Sequence, residues 1–393
     1  MTVVGRVFRP NERKVLALNR CLSEYFGLVK WYLSLNNTSK TYLHRNGYSY
    51  ARESFELSSA LIQTARDKAV EILKSFKENR KKNSVLKLKR ISIRFDRRCY
   101  RFSKTTNVLT PYWLTLTLNR NRVSLPIVFG RHQRDRIESA LSGEWSFTTV
   151  EMVKRDGEWF AHFVLKKTVT LEDKPQTVIG IDIGEVNLAT AVALTDKPHK
   201  GQFWRGSEIK RLRGLYNHLR RRLGEKKLLK KIKTIGGKER RKVNQQLHII
   251  ANQVVEYAKQ FPKPVIAMEG LKGLRGNMDF SKRMNRRVHS MPYRRLQTYI
   301  EYKASIEGIG VRYVKAKDTS RTCHRCGYVT QKINGREFRC PRCGLIYNRD
   351  LNGAISIAQA VKSDLGWRSC EPRKPADATG SVKLRANAGI SRL

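Results

Sequence analysis

The chain has 393 residues, 40 % of them apolar, which is enough for about two or three domains with cores of their own. Lys and Arg number 80 against 33 Asp and Glu, a formal charge of +47; a compact chain so charged repels itself unless a polyanion neutralises it, so nucleic acid is the expected partner. There is no run of eighteen apolar residues, and MTVVGRVFRPNERK has no apolar stretch of signal-peptide length, so the expectation is a cytoplasmic, nucleoid-associated protein with no membrane partner.

Residues 1–20 read as a short strand, VVGRVFR, a turn at Arg9-Pro10 and a helix start. From 21 to 84 the period is helical. Leu22, Tyr25, Phe26, Val29, Tyr32 and Leu33 share one face, and a second helix over about 50–80 repeats Leu57, Leu61, Ala65, Ala69, Ile72, Leu73 and Phe76. Both stripes read as core. Between 85 and 172 the period drops to two in LKLKRISIRF, WLTLTL, RVSLPIVF, FTTVEMVKR and EWFAHFVLKK, with turns at Asn119 and Asp156-Gly157. That predicts a run of antiparallel strands, a barrel-like all-β unit to which the strand at 2–8 is a candidate addition. Lys and Arg fill its polar positions, so one face is suited to phosphates.

A linker, TLEDKPQ, leads to TVIGIDIGEVNLATAVALT, an apolar strand interrupted by Asp182 and followed by a second strand. A carboxylate within such a strand is costly unless it binds something. GQFWRG reads as a third strand, and residues 208–260 as a long basic helical region broken at Gly236-Gly237. VIAMEGL is another buried strand ending in a carboxylate, Glu269. A basic segment over 272–287, a helix at 292–307, the strand GVRYVKAKD and a last helix opening at Asp350 complete residues 176–362.

Just before that helix, Cys323 and Cys326 form one C-x-x-C pair, and Cys340 and Cys343 another. Paired units at this spacing predict one structural Zn²⁺ held by four thiolates. Gly327 and Gly344 each follow a pair and permit a positive φ, and Asn334-Gly335 marks a hairpin turn. The segment 318–348 therefore reads as a zinc ribbon inserted in a larger fold, two disulfides being the alternative. Cys21, Cys99 and Cys370 are scattered, with no disulfide framework, in keeping with a reducing compartment.

Three strands, a helix, a strand, a helix, a strand and a final helix is the element order of an RNase H-like α/β fold. In that topology the first and fourth strands are neighbours and the last helix packs on them, so Asp182, Glu269 and Asp350 are expected to converge. Singly, each acid reads as a cap or an ion-pair partner. Together they cannot all stay ionised without cations, and two catalytic Mg²⁺ ions fit phosphodiester hydrolysis.

The chain resembles the TnpB family of insertion-sequence proteins. IGIDIGEVNLAT is similar to that family's first acidic motif, AMEGL to its second, and DTSRTCHRCG…CPRCG…NRDLNGA to its ribbon and third motif. The resemblance implies an RNA-guided DNA endonuclease with a RuvC-type nuclease domain and the ribbon inserted in it. It implies Asp182, Glu269 and Asp350 as catalytic Mg²⁺ ligands, with a transposon-derived guide RNA and target double-stranded DNA as partners. Residues 1–20 and 85–172 would form a wedge barrel, 21–84 a helical recognition lobe, and 364–393 a disordered tail. Many family members carry an acidic residue two positions before the last catalytic Asp, where this chain has Asn348. The miniature type V CRISPR effectors share this architecture and are the alternative identity. An RNA-independent transposase or resolvase, and a guided binder that does not cut, are the competing functions; the intact triad argues against the last.

Overall fold

A computed structural model of the chain describes residues 1–79, 84–119, 121–171, 174–271, 291–315, 319–331 and 335–364. The segment 272–287, Asn334, Cys370 and the tail after Asp364 therefore lie outside the described residues. The chain divides into two compact units, Met1–Thr168 and a second beginning at Val169.

In the first unit, β1 (Thr2–Val7) is followed by α1 (Glu12–Ser34), α2 (Lys40–Ser54) and α3 (Ser59–Asn79), then β2 (Ile93–Phe95), β3 (Tyr100–Lys104), β4 (Tyr112–Thr117), β5 (Arg122–Val128), α4 (Arg131–Leu141), β6 (Ser146–Arg155) and β7 (Glu158–Lys166). The seven strands form one antiparallel sheet in the order β2-β6-β7-β1-β5-β4-β3. β1 lies between β7 and β5, so the three helices interrupt the sheet in sequence. The predicted barrel does not close. The sheet curls until Phe102 of β3 lies 4.7 Å from Phe163 of β7, ring to ring, but the edge strands β2 and β3 are not paired to each other.

Three further expectations need correction. Residues 21–84 hold parts of three helices rather than two. Asn11 accepts from the Lys14 amide and starts α1 early, and Ser39 caps the start of a separate α2. Of LKLKRISIRF only Ile93–Phe95 joins the sheet, the rest being exposed or half-buried. The α4 helix carries too few apolar residues to show a stripe and buries only Ile137 and Ala140.

The α3 helix is tied to the sheet by a partly buried ionic cluster. Lys68 Nζ lies 3.2 Å from Glu151 Oε2, and Arg94 Nε donates to Glu151 Oε1 at 2.9 Å while its guanidinium also engages Glu71. Burial pushes the Glu151 carboxyl up, but Lys68 and Arg94 outweigh it and hold the group at about 2. A folded pKa below the unfolded value contributes stability above pH ~4.5 that is lost as the pH falls toward 2. Burial holds Lys68 below its own usual range, which offsets part of the gain. We expect Glu151→Gln to cost about 1–2 kcal/mol at neutral pH and the gap from wild type to close near pH 2. Denaturant melts of the two proteins across that range check this; a gap independent of pH would contradict it.

The second unit contains β8 (Thr177–Asp182), β9 (Asn187–Leu194), β10 (Gln202–Arg205), α5 (Ser207–Glu225), α6 (Leu229–Lys259), β11 (Pro264–Glu269), α7 (Tyr293–Ile306), β12 (Gly310–Val314), the short β13 (Glu337–Arg339) and β14 (Ile346–Asn348), and α8 (Arg349–Asp364). The main sheet runs β10-β9-β8-β11-β12, with β8, β11 and β12 parallel and β9 antiparallel to its neighbours β8 and β10. The basic helical region breaks at residues 226–228, where Lys227 takes a φ of +53°, and not at Gly236-Gly237, which lie within α6. No described helix is long and apolar enough to cross a membrane.

Both faces of the sheet are covered, which is why β8 reads as a continuous apolar run. Alternation sends Ile179 and Ile181 into the core shared with α6 and α7. It sends Val178, Gly180 and Asp182 to the face packed by Ile357, Ala358 and Val361 of α8. Gly180 lets that helix sit against the strand: a Cβ there would stand 2.0 Å from the Ala354 carbonyl oxygen and 2.9 Å from the Ala358 Cβ. Backbone cannot yield as a side-chain tip can, so Gly180→Ala is expected to cost about 3 kcal/mol through overpacking. Thermal melts of the variant would read this; an unchanged melting temperature would show that α8 is not held this closely.

Candidate active site and cysteine cluster

Asp182 is the last residue of β8 and Glu269 the last of β11. These strands are parallel neighbours with Ile181 opposite Met268, so the two acids emerge side by side at the carboxyl ends of the strands. That end, where the sheet changes from parallel to antiparallel pairing, is where α/β sheets place ligands. Asp350 lies in the first turn of α8. Gly353, one turn on, stands directly over Asp182; a Cβ there would be 3.3 Å from the Asp182 carboxylate. One strand end, a second strand end and a helix start thus lie at the same end of the sheet.

The electrostatics follow from it. Burial, then the carboxylates of Glu269 and Asp350, push the Asp182 carboxyl up to about 8, with Arg349 opposing weakly. Burial also raises Glu269, with Thr319 opposing. A site that disfavours its own negative charge this strongly needs protons or cations, and an all-oxygen donor set suits hard divalent ions such as Mg²⁺. The three acids nonetheless stand apart. Among the described residues, only the four cysteines gather potential ligand atoms within 4.8 Å of one another.

Neutral polar side chains hold the acids in place, and of these the sequence reading singled out only Asn348. Asn187, at the start of β9, donates from Nδ2 to Asp350 Oδ2 at 2.7 Å. The Thr319 hydroxyl donates to Glu269 Oε1. Gln297, fully buried on α7, donates to the Glu269 carbonyl at 2.6 Å. Asn348 is the N-cap of α8, its Oδ1 accepting from the amides of Asp350 and Leu351 at 3.0 and 3.1 Å. The missing acid two residues before Asp350 is therefore a helix cap. Asn187 lies inside the acidic motif IGIDIGEVNLAT, and an Asn just before a helix is a legible cap. No sequence signal marks Thr319 or Gln297.

The cysteines converge as their spacing predicts. Cys323 Sγ lies 3.7 Å from Cys343 Sγ and Cys326 Sγ 3.5 Å from Cys340 Sγ. These contacts are too long for disulfides, whose bond is about 2.0 Å. They match the edge of a tetrahedron of sulfurs about 2.3 Å from a central Zn²⁺, roughly 3.8 Å. Gly327 and Gly344 take φ of +74° and +68° directly after each pair, and Gly335 takes +69°.

The family description Cas12f1-like, TNB domain, matches residues 293–357. A TnpB-like protein of Methanocaldococcus jannaschii is 26 % identical over 267 residues, spanning 65 % of this chain and 93 % of the relative. A CRISPR-associated endodeoxyribonuclease Cas12f1 of Syntrophomonas palmitatica is 29 % identical over 245 residues, 56 % of this chain and 46 % of that protein. The fold is similar to that of a Cas12f1–sgRNA–target DNA complex seen by cryo-electron microscopy, with a TM-score of 0.68 at 16 % identity over 88 % of this chain and 82 % of the other. The mini-RNA-guided endonuclease CRISPR-Cas_phi3 follows with a TM-score of 0.55 at 10 % identity, covering 94 % and 93 %. In sequence the chain is similar to the TnpB-like proteins, and its residues 293–357 are similar to the Cas12f1-like group.

Proposed function

We propose that this protein is an RNA-guided DNA endonuclease of the TnpB type, cutting target DNA with Asp182, Glu269 and Asp350. The convergence of these acids at one sheet end, with Asp182 pushed up to about 8, carries the reading. The order 3-2-1-4-5 of the second sheet supports an RNase H-like, RuvC-type nuclease domain over 176–362. The acids would hold two catalytic Mg²⁺ ions, and the cysteines one structural Zn²⁺ in a ribbon over 318–348. When bound, the Mg²⁺ ions supply an activated water and stabilisation of the leaving oxygen at a phosphodiester. Asn187 and Thr319 orient Asp350 and Glu269 through hydrogen bonds to their carboxylates, and Gln297 fixes the strand end that carries Glu269.

The partners in this reading are a guide RNA and double-stranded target DNA. Base pairing reads the sequence, while the protein holds backbones and recognises a short adjacent motif. Lys226, Lys227, Lys230, Lys231 and Lys233 are exposed around the turn between α5 and α6, where phosphate neutralisation is expected. The curled sheet with its helical insertion, residues 1–20, 21–84 and 85–172, takes the part of the wedge and recognition lobe.

The test is to purify the protein from its native locus and sequence the RNA that accompanies it. A discrete RNA ending in sequence from outside the element, and cleavage only of DNA matching that sequence, is the expected result. Equal cleavage by protein stripped of RNA would overturn the guided reading in favour of a transposase or resolvase.

A further inference from the structure

The cysteine-bearing segment is attached to the acid site at three points. Its entry residue is Thr319, 8 % exposed, whose hydroxyl holds Glu269. Its first knuckle is gripped by α8. Asn352 Oδ1 accepts from the His324 amide at 3.1 Å and lies 2.9 Å from His324 Nδ1, while Asn352 Nδ2 donates to the Thr322 backbone carbonyl at 2.8 Å. Ser356 also donates to the Thr322 carbonyl and Gln359 to that of His324, at 3.1 and 2.8 Å. Its exit strand, β14, ends on Asn348, which pairs with Glu337 in the hairpin and caps the helix that opens with Asp350. Thr322 and His324 flank Cys323, so the backbone that shapes the first C-x-x-C turn is the backbone that α8 grips. Asn352 is fully buried two residues beyond Asp350.

A ribbon serving only as a surface for nucleic acid would need none of these bonds. A buried Asn making three polar contacts to one knuckle costs free energy to desolvate and is specific in geometry. We propose that Thr319 and Asn352 are positioning residues through which the cysteine knuckle sets the separation of Glu269 and Asp350, and hence the affinity of the acid site for its divalent cation. The inference rests on the reading that the acids hold cations and the cysteines zinc. It adds that order in the second site governs the first. Outer hydrogen-bond partners of metal ligands typically change affinity by about 10–100-fold.

The probe is Mn²⁺ alone, followed by electron paramagnetic resonance on the full chain, with zinc content and melting temperature measured in parallel. Asn352→Ala and Thr319→Val are each expected to weaken Mn²⁺ binding by about tenfold or more with zinc retained. Thr319→Ser, which keeps the hydroxyl, is expected to restore it. Hydrogen exchange over 348–356 should speed up in Asn352→Ala while the β8–β12 sheet stays protected. Unchanged Mn²⁺ affinity in both Asn352→Ala and Thr319→Val would overturn the proposal. So would Mn²⁺ binding that Asp182→Ala leaves intact, since the acids would then not be the cation site. Mn²⁺ affinity that falls as expected in a protein that cuts no DNA with any guide would support the positioning role and overturn the nuclease reading instead.

Discussion

Asp182→Ala is expected to lower DNA cleavage by at least about a thousandfold, or roughly 4 kcal/mol of activation free energy, while leaving retention of guide RNA unchanged. The separation follows from where Asp182 sits. It ends a strand buried on both faces, between Glu269 and the first turn of α8. Its carboxylate is disfavoured by burial and by the two neighbouring acids. Removing it therefore relieves repulsion in the metal-free fold and should not destabilise the protein; a small rise in melting temperature is the expected sign. What would be lost is one of the charged oxygen donors proposed to hold the cations, which no neighbour replaces: Asn187 and Thr319 are neutral and already engaged. Gel-shift and cleavage assays on the same preparation check the split. Cleavage within tenfold of wild type would move the chemistry elsewhere, and loss of RNA along with cleavage would make Asp182 structural.

The difference between what was legible in the sequence and what was not has a physical basis. A carboxylate at the end of an apolar run and four thiols in two tight pairs are costly arrangements, and cost is visible without coordinates. Asp182, Glu269 and the cysteines stand out for that reason, and Asp350 because it opens an apolar helix. The three-strand, helix, strand order was legible from runs buried on both faces. Thr319, Gln297 and Asn352 were not, because a neutral polar residue costs nothing until the fold buries it. The α4 helix stayed hidden because it buries only two residues. The break between α5 and α6 was misplaced because glycine is tolerated within a helix at about 1 kcal/mol. The packing of Leu247, Ala251 and Val254 on the sheet holds α6 through Gly236-Gly237. Closure of a barrel depends on pairing between the edge strands, which alternation within each strand cannot report.

With the cysteines holding Zn²⁺ as proposed, its removal by chelation or by Cys340→Ser is expected to unfold the segment 319–348 and lower cleavage by at least about a hundredfold. The reason lies in how little else holds this segment. Its core is Phe338 packed with the cysteines and Leu345, and burying one such aromatic is worth only about 2–3 kcal/mol. Ordering each residue costs about 1–2 kcal/mol, so a segment of this size has no net stability from packing alone, whereas a four-thiolate Zn²⁺ site contributes about 10–16 kcal/mol. Without it the hairpin of β13 and β14 is lost. Asn348 then loses the strand that presents it as a cap, Thr322 and His324 no longer meet Asn352, and Thr319 is released from Glu269. Among the described residues, the sheet core of β8, β9, β11 and β12, with α6 and α7, shares no buried apolar residue with the cysteine cluster, and it should remain folded. Hydrogen exchange would then show protection lost over 319–348 and the first turns of α8, and kept over 177–194 and 264–269. Full cleavage with substoichiometric zinc would mean that the cysteine-bearing segment is not needed to hold the site; global unfolding would mean that it holds far more than the site.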